Sequence, residues 1–330
     1  MHFGIRADGG PKRGFGHLVR MRTLARELLE RNHEVTYFTL SPNQVAELCS
    51  EEIHIVSLTD DTTDSIIPML LDQDVDTLII DHGQIPINDQ REFADAFPLA
   101  LFLDDQGSTV QCDLVVNGHI YASVDEYDWI GEEPLWCVGG DYHMFGADFR
   151  HFAQKEPEWN TTPKRALITM GGSDVANTTP DIIRAFDSTD VRIDVIIGPG
   201  FQNWDAINGA AAETDACLNL VENPDDLAAR LFHTDLAVTA LGLTTYELLA
   251  MKTPFVGIVQ APDQRPKADP LQKQNVALIL DEDYTQETLS DAISTLLTNN
   301  KLRRNFFDRG RKIIGIDGAT TVADHIEQLK

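Results

Sequence analysis

Positive charge is scarce in this chain. Its 330 residues contain nine lysines, and lysine and arginine together number 26 against 53 aspartates and glutamates, a formal net charge of −27. That shortage excludes DNA or RNA as a partner, because neutralising a phosphate backbone takes clustered basic residues. Cysteine is also sparse. Cys49, Cys112, Cys137 and Cys217 are scattered without metal-like spacing and read as reduced, mostly buried thiols. No apolar run approaches the roughly 20 residues of a membrane span. The sequence opens on an apolar strand, His2-Phe3-Gly4-Ile5-Arg6, without the basic and apolar regions of a signal peptide, so a cytoplasmic protein is expected.

The acids are spread along the chain, as at Asp60-Asp61, Asp72, Asp74 and Asp76, rather than gathered in a tail. Such an excess with so few lysines fits a protein kept hydrated in concentrated salt, which screens its self-repulsion. We read a halophile's cytoplasm in preference to an acid-rich binding function.

Hydrophobic residues make up 42% of the sequence, and the length suffices for two α/β domains with sizeable cores. Strand-like runs recur at 2–8, 34–39, 53–58, 77–81 and 98–103, and again at 165–169, 191–197, 216–221, 235–239 and 254–259. Helical patterns separate them. The clearest is 17–31, with Leu18, Met21, Leu24, Ala25, Leu28 and Leu29 on one face. Others are predicted at 174–187, 225–232, 244–252, 266–275 and 285–298. The alternation predicts an α/β protein with parallel sheets in two Rossmann-like domains, 1–155 and 160–315. The polar, proline-punctuated stretch 151–164 reads as the linker. Within 316–330 a helix at about 319–329 is expected to pack back on the first domain.

Two loop systems carry the chemistry. In the first, Arg6 and Asp8 end the opening strand, and Gly14-Phe15-Gly16-His17 then leads into a helix bearing Arg20. Glycines let the backbone approach a ligand. A histidine at a helix N-terminus tends to stay neutral, the form a general base needs. Asp8 is placed to orient it, and Arg20 to meet a phosphate or a carboxylate. Taken alone, Gly-x-Gly-His more often marks a histidine that caps a turn beside a solvated arginine.

The second system follows two strands of the other half. Gly171-Gly172-Ser173-Asp174 opens one helix, while Gly242 and Leu243 precede another that begins Thr244-Thr245-Tyr246-Glu247. Helix starts present unpaired N–H groups and favour anions. The cradle lacks a P-loop lysine, which argues against a Walker-type NTPase. Hydroxyls and amides there suit a diphosphate, and Glu247 suits ribose hydroxyls. Two ordinary capped helices with a first-turn acid would read similarly.

These residues, in order, resemble the UDP-sugar hydrolase of pseudaminic acid biosynthesis and the related spore-coat polysaccharide proteins of the GT-B superfamily. The similarity runs through nearly the whole chain. It includes Ile5-Arg6-Ala7-Asp8, Gly14 to His17, Arg20, Asp104-Asp105, Cys112 to Asn117, Gly140-Asp141-Tyr142, Phe149, Gly171 to Asp174, Asn177-Thr178-Thr179, Gly198 to Phe201, Thr244 to Glu247 and Gln264. The chain departs from the family pattern at Gly83, where tyrosine is usual after Asp81-His82, and at Asp263, Gly146 and Met21. The resemblance implies a GT-B-like fold whose two sheets face across a cleft. UDP would bind the C-terminal domain, and His17 would be the base that activates water. Arg6, Asp8, Gly14, Gly16, Arg20, Asn117, Tyr142, Gly171, Gly172, Ser173, Gly242, Thr244, Thr245, Glu247, Asp263 and Gln264 are the expected substrate-binding positions.

Asp104-Asp105 at a strand end is a pair of the kind metal-dependent glycosyltransferases use. The expected architecture usually neutralises diphosphate with helix dipoles instead, so neither metal nor cofactor is expected. His82 beside Asp81 is a second site histidine or a strand-end structural one. His33, His54 and His233 read as ordinary histidines. The expected activity is hydrolysis of a UDP-linked amino or deoxy sugar at its anomeric carbon. The alternatives are transfer of the sugar to another acceptor, or nucleotide-sugar binding without catalysis.

Because the Debye length falls to about 3 Å at 1 M salt, the thermal midpoint of this chain should rise between about 0.1 M and about 2 M KCl. A flat or falling midpoint in thermal melts removes the halophilic reading and leaves the fold untouched.

Overall fold

A computed structural model describes residues 1–10, 15–49, 53–105 and 107–329. The chain divides into two compact units: Met1–Ala147 together with Ile316–Lys330, and Asp148–Gly315. The first contains β1 (His2–Ala7), α1 (Gly16–Glu30), β2 (Glu34–Thr39), α2 (Pro42–Leu48), β3 (His54–Ser57), α3 (Thr63–Asp72), β4 (Thr77–Asp81), α4 (Ile87–Ala96), β5 (Leu99–Phe102), β6 (Thr109–Val110), β7 (Leu114–Asn117), β8 (Asp128–Trp129) and β9 (Leu135–Val138). Seven strands form one sheet in the order β3-β2-β1-β4-β5-β7-β9, parallel throughout. Its inner strands are buried along nearly their whole length, which is why they read as continuous apolar runs rather than alternating ones. α1 covers one face with Leu18, Met21, Leu24, Ala25 and Leu28, the i, i+3, i+4, i+7 spacing of a helix with one apolar stripe.

The second unit continues with α5 (Ala147–Ala153), β10 (Arg165–Thr169), α6 (Thr179–Ala185), β11 (Arg192–Ile197), α7 (Trp204–Glu213), β12 (Cys217–Glu222), α8 (Leu227–Phe232), β13 (Leu236–Ala240), α9 (Thr244–Ala250), β14 (Phe255–Ile258), α10 (Arg265–Gln274), β15 (Leu278–Leu280), α11 (Gln286–Thr298) and α12 (Asn300–Gly310). Its six-stranded parallel sheet runs β12-β11-β10-β13-β14-β15. Each sheet thus reverses its strand order once, between β1 and β4 and between β10 and β13. Ligands of open α/β sheets bind beyond the carboxyl ends of the strands at such points. Among the described residues, no helix is long and apolar enough to cross a membrane.

Two local expectations fail for physical reasons. The helix predicted at 174–187 begins at Thr179, because Asp174 and Asn177 take left-handed backbone conformations (φ 41° and 59°). The stretch 151–164 is not a free linker. α5 occupies its start, and Arg303, wholly buried, donates to the carbonyls of Asn160 and Thr161. Trp159 packs edge-on to Phe307, ring centroids 5.1 Å apart.

The tail forms α13 (Gly318–Ile326), which packs on α1 within the first unit through Ala319, Val322, Ala323 and Ile326. Arg31, which caps the C-terminus of α1, reaches Asp324 at 2.7 Å and Glu327 at 3.1 Å. Gly318 allows the approach: a Cβ there would lie 2.2 Å from the His143 carbonyl oxygen and 2.7 Å from the Tyr142 carbonyl carbon. Backbone cannot yield as a flexible side chain does. Gly318→Ala should therefore lower stability by about 1–3 kcal/mol, the usual cost of overpacking, read from denaturant unfolding. An unchanged midpoint would show that α13 can dock elsewhere.

Candidate functional site

In the first unit, polar side chains collect where β1 and β4 end. Asp81 closes β4 and is fully buried. His17, in the first turn of α1, places Nδ1 2.7 Å from Asp81 Oδ1. Arg20, one turn further on, donates Nε to Asp81 Oδ2 at 2.9 Å and also pairs with Asp104. The short contact assigns a proton to His17 Nδ1 and leaves Nε2 as the lone-pair nitrogen. Among the described residues Nε2 has no hydrogen-bond partner, and the ring is about a quarter exposed (26%). The Asp81 hydrogen bond raises the pKa of His17 above its ordinary value, against burial and the Arg20 charge. The neutrality expected from the helix terminus is thus overridden by a carboxylate at contact distance.

That carboxylate is Asp81 rather than Asp8. Asp8 faces the other side of the strand end. It accepts from Thr39 Oγ1 at 2.8 Å, from the Leu40 amide at 2.7 Å and from Arg6 Nη2 at 2.7 Å, and it lies 3.1 Å from His82 Nε2. Burial raises the Asp8 pKa, but the His82 and Arg6 contacts outweigh it and hold the carboxyl well below the usual range. Arg6, 2% exposed, also pairs with Asp61 at 2.7 Å, while its Nη1 is buried with no partner among the described residues. The end of the sheet therefore carries two histidine–carboxylate pairs side by side, His17–Asp81 and His82–Asp8.

A third layer supports the first. His119 Nε2 lies 3.2 Å from Asp104 Oδ1, and its ring stacks on Tyr121 at 4.8 Å. Asn117, expected to face substrate, is wholly buried. Its Oδ1 accepts from the His119 amide, and its Nδ2 donates to the Tyr127 hydroxyl and the Asp105 carbonyl. Asp104 is held low by the Arg20 charge and by hydrogen bonds from His119 and Arg20, which outweigh its burial. Asp105 Oδ2 accepts from Gln84 and Ser108. Among the described residues no cluster of three or more histidine, cysteine or acidic side chains has metal-binding geometry. Tyr142 sits apart from these bonds, half-buried in the turn beneath α13. Gly16 opens α1, and no described residue lies within 4 Å of a would-be Cβ there. Gly14 lies outside the described residues.

In the second unit, a cavity of about 520 Å³ opens at the carboxyl ends of β10 and β13. Gly171, Gly172, Ser173, Gly242, Thr244 and Gln264 line it together with apolar Ile196, Pro199, Pro224 and Leu227. The glycine turn is tightly nested. Gly171 has φ 76°, and a Cβ on Gly198 would lie 2.5 Å from the Gly172 carbonyl oxygen. Asp174, 3% exposed, fixes the turn from below. It accepts from the amides of Thr178 and Thr179, from Asn203 Nδ2 and from Gln260 Nε2. The start of α6 is therefore filled by the protein's own carboxylate. No helix starts at Ser173, and what faces the cavity there is the glycine turn itself.

The remaining predicted residues divide. Thr244 lines the cavity, whereas Thr245 is wholly buried, its Oγ1 3.5 Å from the Ala240 carbonyl. Glu247, half-buried one turn into α9, is not a wall of the cavity. Burial pushes its pKa up to about 7, against a Thr244 hydrogen bond. Asp263 is exposed in the turn before α10, and Gln264 Oε1 accepts from the Gln260 amide at 2.9 Å. The roles of Asp81 and His119 were not read from the sequence. Asp81 carried a signal, an acid closing a buried strand at the order reversal. His119 carried none, because β7 is too short to stand out.

No family model matches the chain. The spore coat polysaccharide biosynthesis protein SpsG of Bacillus subtilis is 26% identical over 342 residues, 100% of this chain and 98% of that protein. The UDP-2,4-diacetamido-2,4,6-trideoxy-beta-L-altropyranose hydrolase of Campylobacter jejuni is 23% identical over 279 residues, 82% of this chain and 96% of that protein. Among solved structures, MurG of Acinetobacter baumannii shares the fold with a TM-score of 0.74 at 16% identity, covering 99% of each chain. Several glycosyltransferases are also similar in structure. The chain has the GT-B fold: two Rossmann-like α/β units with parallel sheets.

The Asp174 carboxyl is buried, which raises its pKa, but the surrounding N–H and O–H donors hold it below its ordinary value. A lowered carboxyl adds stability that is present above its unfolded pKa, about 3.9, and is lost as pH falls toward the folded value. Asp174→Asn should cost about 1.5–3 kcal/mol at neutral pH, the worth of hydrogen bonds to a charged group. The difference from wild type should shrink below about pH 4. A pH-independent difference in urea titrations would assign the effect to shape rather than charge.

Proposed function

We propose that the protein hydrolyses a UDP-linked amino or deoxy sugar at the anomeric carbon. The observation that carries this reading is the His17–Asp81 pair, which leaves one imidazole nitrogen unspent at the strand-order reversal. His17 Nε2 takes a proton from water, the water oxygen bonds to C1, and the bond from C1 to the phosphate oxygen breaks. UDP departs with the electron pair. Its diphosphate is met by the amides of the glycine turn at Gly171–Ser173 and of Gly242–Thr244, an electrostatic contribution of the oxyanion-hole kind. Glu247 accepts from the ribose hydroxyls in this reading. The similarity to the Campylobacter hydrolase supports water as the acceptor.

The glycosyltransferases that share the fold favour a second reading, in which a sugar hydroxyl replaces water at the same base. A panel of UDP-sugars separates the two. UDP release without acceptor supports hydrolysis, release only with acceptor supports transfer, and binding without release leaves a nucleotide-sugar-binding protein.

With a competent substrate, His17→Asn should slow turnover by about 10²–10⁴-fold, the range of general-base catalysis, with little change in UDP affinity. Because Asp81 raises the pKa of His17, the rate in wild type should climb with pH through an apparent value above about 6.5. Asp81→Asn should move that limb downward. A variant at position 17 within about threefold of wild type would make the histidine structural. Glu247→Ala should weaken UDP by about 1–3 kcal/mol, and unchanged affinity in calorimetry counts against the ribose role.

A further inference from the structure

Arg165 opens β10 and Arg192 opens β11, and the two are directly paired across these parallel strands. Neighbouring strands lie about 4.8 Å apart, and like charges directly opposite destabilise a sheet. Both side chains are exposed, and neither guanidinium makes a hydrogen bond or ion pair to a described residue. This contrasts with other arginines of the unit: Arg184, Arg230, Arg265 and Arg304 meet carboxylates, and Arg303, Arg309 and Arg311 bond backbone carbonyls. In a chain with 53 acids and 26 lysines and arginines, two adjacent cations left without a partner need an explanation.

Their nearby acids are committed elsewhere. Asp194 accepts from Arg230 and Asn219, and Asp226 accepts from Arg230. Asp235 accepts from Asn160 and from the amides of Lys164 and Arg165. A cavity of about 350 Å³ lies against Arg165 and Arg192, and its other sides carry Arg230, Asn219 and His233 together with the carboxylates of Asp194 and Asp226, both of which are engaged by Arg230. It sits at the amino end of the sheet. Arg165 and Thr169 are the two ends of β10, about 13 Å apart at about 3.3 Å per residue, so this cavity is separate from the one at Gly172.

We propose that this cavity binds a phosphate-type oxyanion, bridged by the Arg165 and Arg192 guanidiniums. Two planar forks on adjacent strands match the oxygens of a tetrahedral dianion, which also relieves their mutual repulsion. Asn219 supplies a neutral polar neighbour. The ligand is free phosphate or the phosphate group of a small ester.

The test is a calorimetric titration of the full chain with inorganic phosphate at constant ionic strength in KCl, repeated with glucose 1-phosphate and with UDP present. Saturable binding of one phosphate at about millimolar concentration, undiminished by UDP and weakened about tenfold or more in both Arg165→Gln and Arg192→Gln, is expected. Tighter binding of the sugar phosphate would assign the site to an ester, and equal binding to the free ion. Thermal melts confirm that the variants are folded, and each should melt no lower than wild type in phosphate-free buffer. Absence of saturable binding, displacement by UDP, or unchanged binding by the arginine variants overturns the proposal.

Discussion

The first unit depends on one buried carboxylate. Asp81 ends an inner strand with no exposure, and a carboxylate removed from water is tolerated only when paired and hydrogen-bonded. His17 and Arg20, one helical turn apart on α1, satisfy it together. The same bonds fix the position of α1 over β4, the tautomer of His17 and the conformation of Arg20. Arg20 in turn holds Asp104, and Asp104 holds His119. The potential base and the packing of the sheet edge are therefore one problem with one solution. Removing either partner of a buried pair typically costs about 3–5 kcal/mol because a charge is left uncompensated. A histidine that only capped a turn would need no such chain of supports.

The two units meet the same topological constraint differently. A parallel sheet that reverses its strand order leaves a gap beyond two strand ends, lined by backbone that must be paired or hydrated. The first unit fills the gap with ionisable side chains, and the second with glycine backbone. The latter is possible because Asp174 works from below, accepting from Thr178, Thr179, Asn203 and Gln260 while the Gly171–Gly172 turn stays open to the cavity. Side chains that titrate suit proton transfer, and amides that do not titrate suit an anion whose charge persists. The chemistry available to each unit follows from which material closes its gap.

Much of this was legible in the sequence. Strands such as Glu34–Thr39, Thr77–Asp81 and Arg165–Thr169 coincide with their apolar runs, because burial on both faces leaves continuous hydrophobicity. β7 and β9 escaped notice, since four-residue strands in a segment broken by short turns carry no period. The α6 boundary was misplaced because a helix N-terminus and an aspartate-capped loop share the same composition, and only the left-handed backbone at Asp174 and Asn177 distinguishes them. At the site, His17 and Arg20 were found from the loop. The identity of their carboxylate was not, since Asp8 and Asp81 both close neighbouring strands. Which of the two faces α1 depends on side-chain direction: Thr39, Leu40 and Arg6 draw Asp8 toward β2.

The acidic composition gives the arginines their meaning. With only nine lysines, nearly every structural cation is a guanidinium, and several are pinned inside the fold. Arg6 is 2% exposed between two aspartates, and Arg303 is wholly buried. Arg303 donates to four backbone carbonyls, those of Asn160, Thr161, Leu296 and Leu297, and has no carboxylate partner among the described residues. Burial lowers its pKa, yet a guanidinium stays charged where an ammonium would more readily neutralise. The planar fork lets one residue tie the segment before β10 to the last turn of α11. Its carbonyl partners are insensitive to salt in a way that surface carboxylates are not. Arg303 thus joins these two segments through interactions that neither high salt screens nor low salt exaggerates, whereas Arg6, Arg20 and Arg31 make theirs through carboxylates that are partly open to solvent.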